Sequence, residues 1–473
     1  MLDIEEIKVE SRWRRWRRLL RQAINGEEQE FTTGSIDRAI VLLSIPMILE
    51  MAMESLFAIV DAFFVARIST EAVATVGLTE AVLTLIYSIA IGLSAAATAV
   101  VARRVGEGNR RAASVAGAQT ILIALVLSVL IAVPGFIFAK DILNTMAKDR
   151  SVAETGEQFT RLLLTANLPI LLLWMLNGIL RGAGDAATAM RALWIANLVN
   201  LALDPMLIFG IGPFPELGVL GAAVATTIGR STGVLYQLWQ LFQVGKIVRL
   251  RLQYFRPRMD IIQRLLRIGA GSTGQYLIAS ASWIFMIYIL GQISKEVTAG
   301  YTIAIRIIVF TILPSWGMAN AAATLVGQNL GAGHPERAEQ SAWRAGFFNM
   351  IFMACVGAIY FTGAPFFIGL FTREPESLHA GVMALRILAA GYVFYGYGMI
   401  LSQAINGAGD TRTPTILNFL CFWLIEMPLA WWLALQLHWG QAGVYYSIVI
   451  AESTLALGAI WVFRRGGWKS VKV

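Results

Sequence analysis

The sequence predicts an all-α integral membrane protein: twelve transmembrane helices in two six-helix repeats, with pseudo-twofold symmetry about the membrane normal. Three observations carry this. Of 473 residues, 57% are hydrophobic and only 14% charged, whereas a soluble chain is about a quarter charged. The apolar residues fall into runs of about 20 or more, enough to cross ~30 Å of hydrocarbon as helix. The third is a long internal repeat. "LRGAGD" at Leu180–Asp185 returns as "INGAGD" at Ile405–Asp410, "VGEG" at Val105–Gly108 as "LGAG" at Leu330–Gly333, and "LGV" at Leu217–Val219 as "AGV" at Ala442–Val444. Gly182 and Gly407, Gly106 and Gly331, and Gly218 and Gly443 each stand 225 residues apart. One constant offset over that length means duplication of a single large unit.

The elements follow in order. Residues 1–35 form a basic cytoplasmic segment containing "SRWRRWRR" at Ser11–Arg18. Arginine interleaved with tryptophan suits a helix on anionic headgroups, or else a poorly ordered tail. No secretory signal is expected there. Twelve spans follow at 38–66, 75–102, 113–138, 158–180, 188–211, 218–244, 262–291, 298–326, 338–369, 381–405, 413–436 and 442–464. Loops on one side carry Arg103, Arg104, Arg110 and Arg111, then Arg181 and Arg191, then a run from Lys246 to Arg267. Loops on the other side, such as Gly210–Gly218 and Leu437–Gly443, carry no Lys or Arg. The positive-inside rule puts both termini in the cytoplasm, which requires an even number of spans. The net charge of +8 is therefore loop bias, and no nucleic-acid partner is expected.

The link 245–260 is long, basic and contains Pro257, so it divides an N-lobe (36–244) from a C-lobe (261–465), with a cytoplasmic tail at 466–473. Six spans per lobe give both repeats the same orientation. Asp185 and Asp410 end the two "GAGD" turns and are placed to cap the helices that follow. Cys355 and Cys421 lie inside apolar runs and read as small buried residues.

An ionisable residue within a span costs ~2.5–3.5 kcal/mol on insertion scales, which makes it a functional candidate. The first span has Glu50, Glu54 and Asp61. They lie within an arc of about 40° and form a stripe roughly 16 Å long. Such a stripe must face a wet cavity or partners from other spans. Pro46, one turn before Glu50, removes a backbone donor and can bend the helix. The fifth span holds Asn197, Asn200 and Asp204 on one face, followed by Pro205, which frees the carbonyl of Leu201. Asn177 in the fourth span and Thr226 in the sixth are placed to converge on the same cavity. The alternative is a structural network tying helices together. Carboxylates, amides and a hydroxyl make an oxygen-rich site suited to a proton or a hard monovalent cation.

The second half is nearly bare at these positions. Met286 and Leu429 stand where the repeat would place Asp61 and Asp204, and Gln275 stands at the equivalent of Glu50. Glu426 and Glu452 are the C-terminal carboxylates whose roles stay open. Arg306 is the only basic residue expected deep in a span. His334, His379 and His438 all fall in loops, so proton chemistry inside the membrane falls to carboxylates. No G-x-x-x-x-G-K-[ST] is present. Transport work would need an ion gradient, and no cofactor beyond H⁺ or Na⁺ is implied.

Duplicated membrane chains of this kind are often transporters with the substrate site between the halves. Here "VDAFFVARI", "VGEGNRRAA", "LRGAGD" and "NLALDP" before "GVLGAAVAT" resemble the MATE (multidrug and toxic compound extrusion) family over essentially Ile36–Arg465. The chain looks most like the DinF-like branch. That resemblance implies ion coupling by Asp61, Asn200, Asp204 and Thr226, with Asn177 as a further cavity residue and Pro46 as the bending point. If the ion is Na⁺, the first four are its ligands. The NorM-like branch uses a glutamate in the seventh span, where this chain has Gln275. Glu50 and Glu54 depart from the branch pattern; with Asn197 and Gln275 they are candidates for a substrate cavity biased to cations.

The resemblance implies a monomeric antiporter in a bacterial-type inner membrane. It would export organic, often cationic, compounds in exchange for H⁺ or Na⁺, with membrane lipids as its surroundings. The alternative within transport is a lipid-linked oligosaccharide flippase, which calls for a basic cavity. An enzyme is not expected, since the spans hold no histidine for a nucleophile–base pair or a metal.

Overall fold

A computed structural model describes residues 12–26, 30–65, 67–146 and 150–473. Helix α1 (Arg12–Asn25) precedes the membrane passes. The first half continues with α2 (Ile36–Val65), α3 (Thr70–Gly106), α4 (Arg110–Met146), α5 (Arg150–Thr165), α6 (Leu168–Gly182), α7 (Ala186–Phe209) and α8 (Val219–Phe242). The second half has α9 (Met259–Ile293), α10 (Lys295–Gly331), α11 (Pro335–Gly369), α12 (Pro375–Ala390), α13 (Tyr392–Gly407), α14 (Arg412–Gln436) and α15 (Gln441–Arg465). Among the described residues nine helices are long and apolar enough to cross a membrane, and two bent pairs bring the number to eleven. Helix α8 completes the twelve; Thr226, Thr227, Arg230, Ser231 and Thr232 lower its hydropathy.

The fourth and tenth passes are each broken rather than straight. Helices α5 and α6 meet at 42°, and α12 and α13 at 57°. At the first break Pro169 cannot donate a backbone hydrogen bond. Asn167 offsets part of the loss, its Nδ2 donating to the carbonyls of Leu164 (2.7 Å) and Ser128 (3.1 Å). At the second break stands Gly391, a poor helix former. The eleventh pass, α14, is wound as π-helix over Phe419–Glu426 and Trp432–Gln436, on either side of Pro428.

The duplicated turns fold alike. Gly184 and Gly409 take φ of +86° and +95°, open to glycine without strain. Asp185 and Asp410 then accept the backbone N–H of Thr188 and Thr413, each at 3.1 Å. The aspartates are caps, as expected. A second shared device is an indole latch. Trp194 on α7 donates to the Leu49 carbonyl on α2, and Trp423 on α14 to the Ile278 carbonyl on α9, both at 3.2 Å.

One apolar core gathers residues of the first half around Leu171, Met175 and Leu176; another gathers the second half around Met286, Leu385 and Tyr445. A third joins the start of α2 to α10 through Leu43, Met47, Ala322 and Leu325. Helix α2 packs on α10 as α9 packs on α3, the two contacts being related by the duplication. Outward faces are apolar, as with Val126, Val129 and Leu130 on α4. Cys421 is buried, but Cys355 is exposed on α11, contrary to expectation.

Arg38 and Arg191 hold α1 against α2 and α7 through Gln22 Oε1 and the Asn25 carbonyl, each at 3.3 Å. Ser11 and the side chains of Trp13, Arg15 and Trp16 lie outside the described residues. The link between the halves is tied to the first half by Lys246 donating to Asp185 Oδ2 (3.0 Å), by Arg249 N donating to Ser114 Oγ (3.0 Å) and by Gln119. Gln119 on α4 donates to the carbonyls of Tyr254 (2.8 Å) and Arg256 (3.0 Å) and accepts from Arg258 N (2.9 Å).

Candidate functional site

Helices α7 and α8 approach closely because small residues line their contact. A Cβ on Gly229 would lie 2.6 Å from the Ala196 carbonyl oxygen and 2.8 Å from Asn200 Cβ. That proximity lets Thr226 of α8 reach Asn200 of α7. Asn200 Nδ2 is 3.1 Å from Thr226 Oγ1 and 3.5 Å from Asp204 Oδ1. Asp204 is fully buried, with Oδ2 unpartnered, and Asn200 Oδ1 and Asp61 Oδ1 are likewise buried without a hydrogen bond. Asp61 is near enough for its charge to act on Asp204 and to feel Arg230. Among the described residues no three His, Cys, Asp or Glu side chains form a metal cluster. Any ion held here would be held by a mixed set of carboxylates, an amide and a hydroxyl.

Asn177 does not join that group. Its Nδ2 donates to Glu50 Oε1 at 2.9 Å, and its Oδ1 accepts from Gln237 on α8. Glu50 is fully buried, and its second neighbour is Arg181, whose Nη1 lies 3.5 Å from Oε1. Arg181 Nη2 donates to Ser94 Oγ on α3 at 2.9 Å. Glu54 forms a separate cluster, accepting from Asn197 Nδ2 at 3.3 Å and lying 3.7 Å from Arg230 Nη2. That guanidinium also donates to Tyr87 OH at 3.2 Å.

Of the two settings expected for the acidic stripe, a wet cavity or partners from other spans, Glu50 and Glu54 take the second. Glu50 and Glu54 each face a buried arginine, Arg181 at 4% exposure and Arg230 at 6%. Arg181 is no loop residue, and Arg306 lies within α10 with its side chain exposed. Both missed arginines had a signal. Arg230 interrupts the middle of the sixth span, and Arg181 is the repeat partner of Asn406 just as Glu50 is of Gln275. In the second half those partners form a neutral copy of the same pair. Gln275 Nε2 donates to Asn406 Oδ1 at 3.0 Å, and Asn406 Nδ2 to Gln275 Oε1 at 3.1 Å. Gln275 is thus engaged rather than free in a cavity. Glu426 is buried within the π-wound part of α14, away from the membrane end, and Glu452 is half-buried on α15.

Pro46 lies inside a continuous α2, and Pro205 inside α7. Immediately after Pro46, α2 is pressed against α10: a Cβ on Gly317 would meet the Met47 carbonyl oxygen at 2.5 Å. Between the halves lies a narrow cleft of about 70 Å³, lined from one side by Met51, Ser94, Trp174 and Arg181 and from the other by Tyr276, Trp316, Gln403 and Asn406. Tyr276 and Trp316 stack with centroids 5.2 Å apart and planes at 13°.

Twelve helical passes in duplicated halves, with a cleft between them and buried polar clusters in one half, define an integral-membrane transporter rather than an enzyme. The chain belongs to the MatE family, whose model matches it twice, over residues 46–206 and 272–432. It is 26% identical over 439 residues to a probable multidrug resistance protein NorM of Thermotoga maritima, covering 92% of this chain and 93% of that one. It is 26% identical over 400 residues to an FAD transporter of Shewanella oneidensis, covering 84% and 88%. A crystal structure of MATE in the bent conformation superposes with a TM-score of 0.86 at 28% identity, covering 94% of this chain and 97% of that one.

Proposed function

We propose that this transporter exports drug-like organic compounds by alternating access, driven by H⁺ or Na⁺ moving the other way. The observation that carries the reading is the set of buried, orphaned oxygens on Asp61, Asn200 and Asp204, with Asn200 bonded to Thr226 and Asp61 near enough for its charge to act on Asp204. Buried polar atoms without partners are costly, and a proton or bare cation satisfies them together. Loading there changes the charge beside Arg230 and so strains the Glu54–Arg230 pair, which couples the ion to α2.

The two halves act as lobes, 36–244 and 261–465, hinged by the link 245–260. The arginine-rich loops face the cytoplasm of a bacterial-type inner membrane, and both termini lie on that side. The halves touch at that end: Gly106 of α3 abuts Gln328 of α10, and Gly331 abuts Arg103. A shut cytoplasmic end and a cleft above it describe the outward-facing state. A flippase for lipid-linked pyrophosphates would need several basic groups in the cleft, and its lining has one arginine. The protein works as a monomer.

The test is reconstitution into liposomes loaded with ethidium, under a pH gradient or a Na⁺ gradient. Wild-type efflux under one gradient, lost in both Asp61→Asn and Asp204→Asn while the variants stay folded, is the expected result. Efflux that survives in both variants would remove these residues from the coupling site.

A further inference from the structure

Two carboxylates of the second half stand without a counterion. Glu426 on α14 is 2% exposed, and Glu452 on α15 is half-buried. Each lies roughly 16 Å along its helix from the loop that joins the two, so both sit about midway across the hydrocarbon. Glu452 is near enough for its charge to act on Glu426, and the phenol of Tyr395 on α13 is within reach of both charges. Ser282 on α9 turns its hydroxyl to Glu426. Tyr301 on α10 feels Glu426 and stacks on Tyr445 of α15, with centroids 5.9 Å apart and planes at 8°. Cys421, one turn earlier on α14, is the remaining titratable neighbour. Among the described residues no arginine, lysine or histidine acts on either glutamate, whereas Glu50 and Glu54 in the first half each face an arginine. Two ionised carboxylates at that depth would be uncompensated, which membrane interiors do not tolerate. A positive species from solution must neutralise at least one of them.

Two further features mark a site. The hydroxyls of Tyr395 and Tyr445 are buried without a hydrogen-bond partner, although buried phenols are normally bonded. The backbone is also π-wound over Phe419–Glu426 and ends its winding on the carboxylate; such windings are frequent at functional sites. Among the described residues no third acid, histidine or cysteine completes a metal cluster here.

We propose that Glu426 and Glu452 form a proton-exchange site of the second half, separate from Asp61 and Asp204. This rests on the H⁺-driven reading above and adds to it a second place where the proton engages the protein. Water hands a proton to one carboxylate oxygen, a neutral acid forms, and the proton later returns to water with no other bond changed. Glu452, the more exposed member, is where it enters. Tyr395 supplies a free donor for the member left ionised. The site is no copy of the first-half one. The repeat puts Met286 and Leu429 at the positions of Asp61 and Asp204, and Gln275 is closed on Asn406.

Proton counting tests this. The purified full chain in detergent, in lightly buffered choline chloride, is titrated between about pH 6 and pH 9, where buried glutamates exchange protons. An indicator dye reads the protons released per chain. The double variant Glu426→Gln/Glu452→Gln keeps the shape of two protonated acids and should release about one proton fewer than the unsubstituted chain. The same deficit should appear on an Asp61→Asn/Asp204→Asn background. In the unsubstituted chain, dicyclohexylcarbodiimide, which attacks protonated carboxyls in apolar surroundings, should label Glu426 or Glu452, and less so as the pH rises. No deficit in the folded variant, or no labelling of either glutamate in that window, overturns the proposal. Labelling blocked when Na⁺ replaces choline would also overturn it, by making the pair a metal-ion site. Neither a gradient nor a drug is present, so a failure of dye efflux in liposomes would sink the transport reading without touching this result.

Discussion

Gly106 and Gly331, on opposite sides of the seam, each abut the backbone of the other half and set how tightly the halves close. A Cβ on Gly106 would lie 2.0 Å from the Gln328 carbonyl oxygen, and one on Gly331 2.1 Å from the Arg103 carbonyl oxygen. Both obstacles are backbone atoms, so no rotamer change relieves them. An alanine at either position must part the ends of α3 and α10 by roughly 1.5 Å to restore van der Waals separation. Overpacking of this kind costs about 1–3 kcal/mol. Because the clash exists only where the ends meet, the cost falls on the closed-seam state. The open-seam population should rise about 5- to 150-fold in Gly331→Ala. Spin labels on exposed Arg110 and Glu336, with Cys355 and Cys421 replaced first, report the distance across the seam by double electron–electron resonance. The expected outcome is a second, longer distance in Gly106→Ala and Gly331→Ala. A distribution identical to that of the unsubstituted protein in both variants would mean that the seam is not a contact the transporter makes and breaks.

The other predictions concern single clamps. Gln119→Ala removes three hydrogen bonds that hold the link, worth about 1 kcal/mol each, and should speed tryptic cleavage after Arg251 or Arg258 severalfold, followed by gel electrophoresis. Arg230→Gln leaves Glu54 beside no countercharge and should destabilise the protein by about 3 kcal/mol, lowering its melting temperature in detergent. Adding Glu54→Gln should recover most of that loss, and a double variant no more stable than the single one would show that the pair is not the source.

The duplication was legible because glycines at turns and seams are conspicuous in apolar sequence, and one offset located them all. The grouping of Asn200, Asp204 and Thr226 was legible for a local reason, since helical spacing puts Asn200 and Asp204 on one face and the small residues of α8 bring Thr226 up to it. The arginines were not. Arg181 falls where hydropathy ends a span, and its burial depends on Glu50, 131 positions earlier in the chain, and on Ser94 in a third helix. Asn177 was expected to converge on the cavity of Asn200, Asp204 and Thr226 but bonds Glu50 and Gln237, because spacing fixes the face of a helix and not the neighbour that packs there. The bends at Asn167 and Gly391 escaped for a related reason: hydropathy measures how much apolar chain there is and is blind to its direction.

The indole of Trp194 takes hold of α2 at the Leu49 carbonyl, between Pro46 and Glu50. The bond therefore sits one turn from the proline at which a bend of α2 is proposed. The matching bond from Trp423 grips α9, where no proline weakens the helix. The molecule thus carries two like tryptophans, one bonded to a helix with a proline beside the bond and one to a helix without. The difference between their signals would report motion of the first helix from inside the protein, with the second as the internal reference.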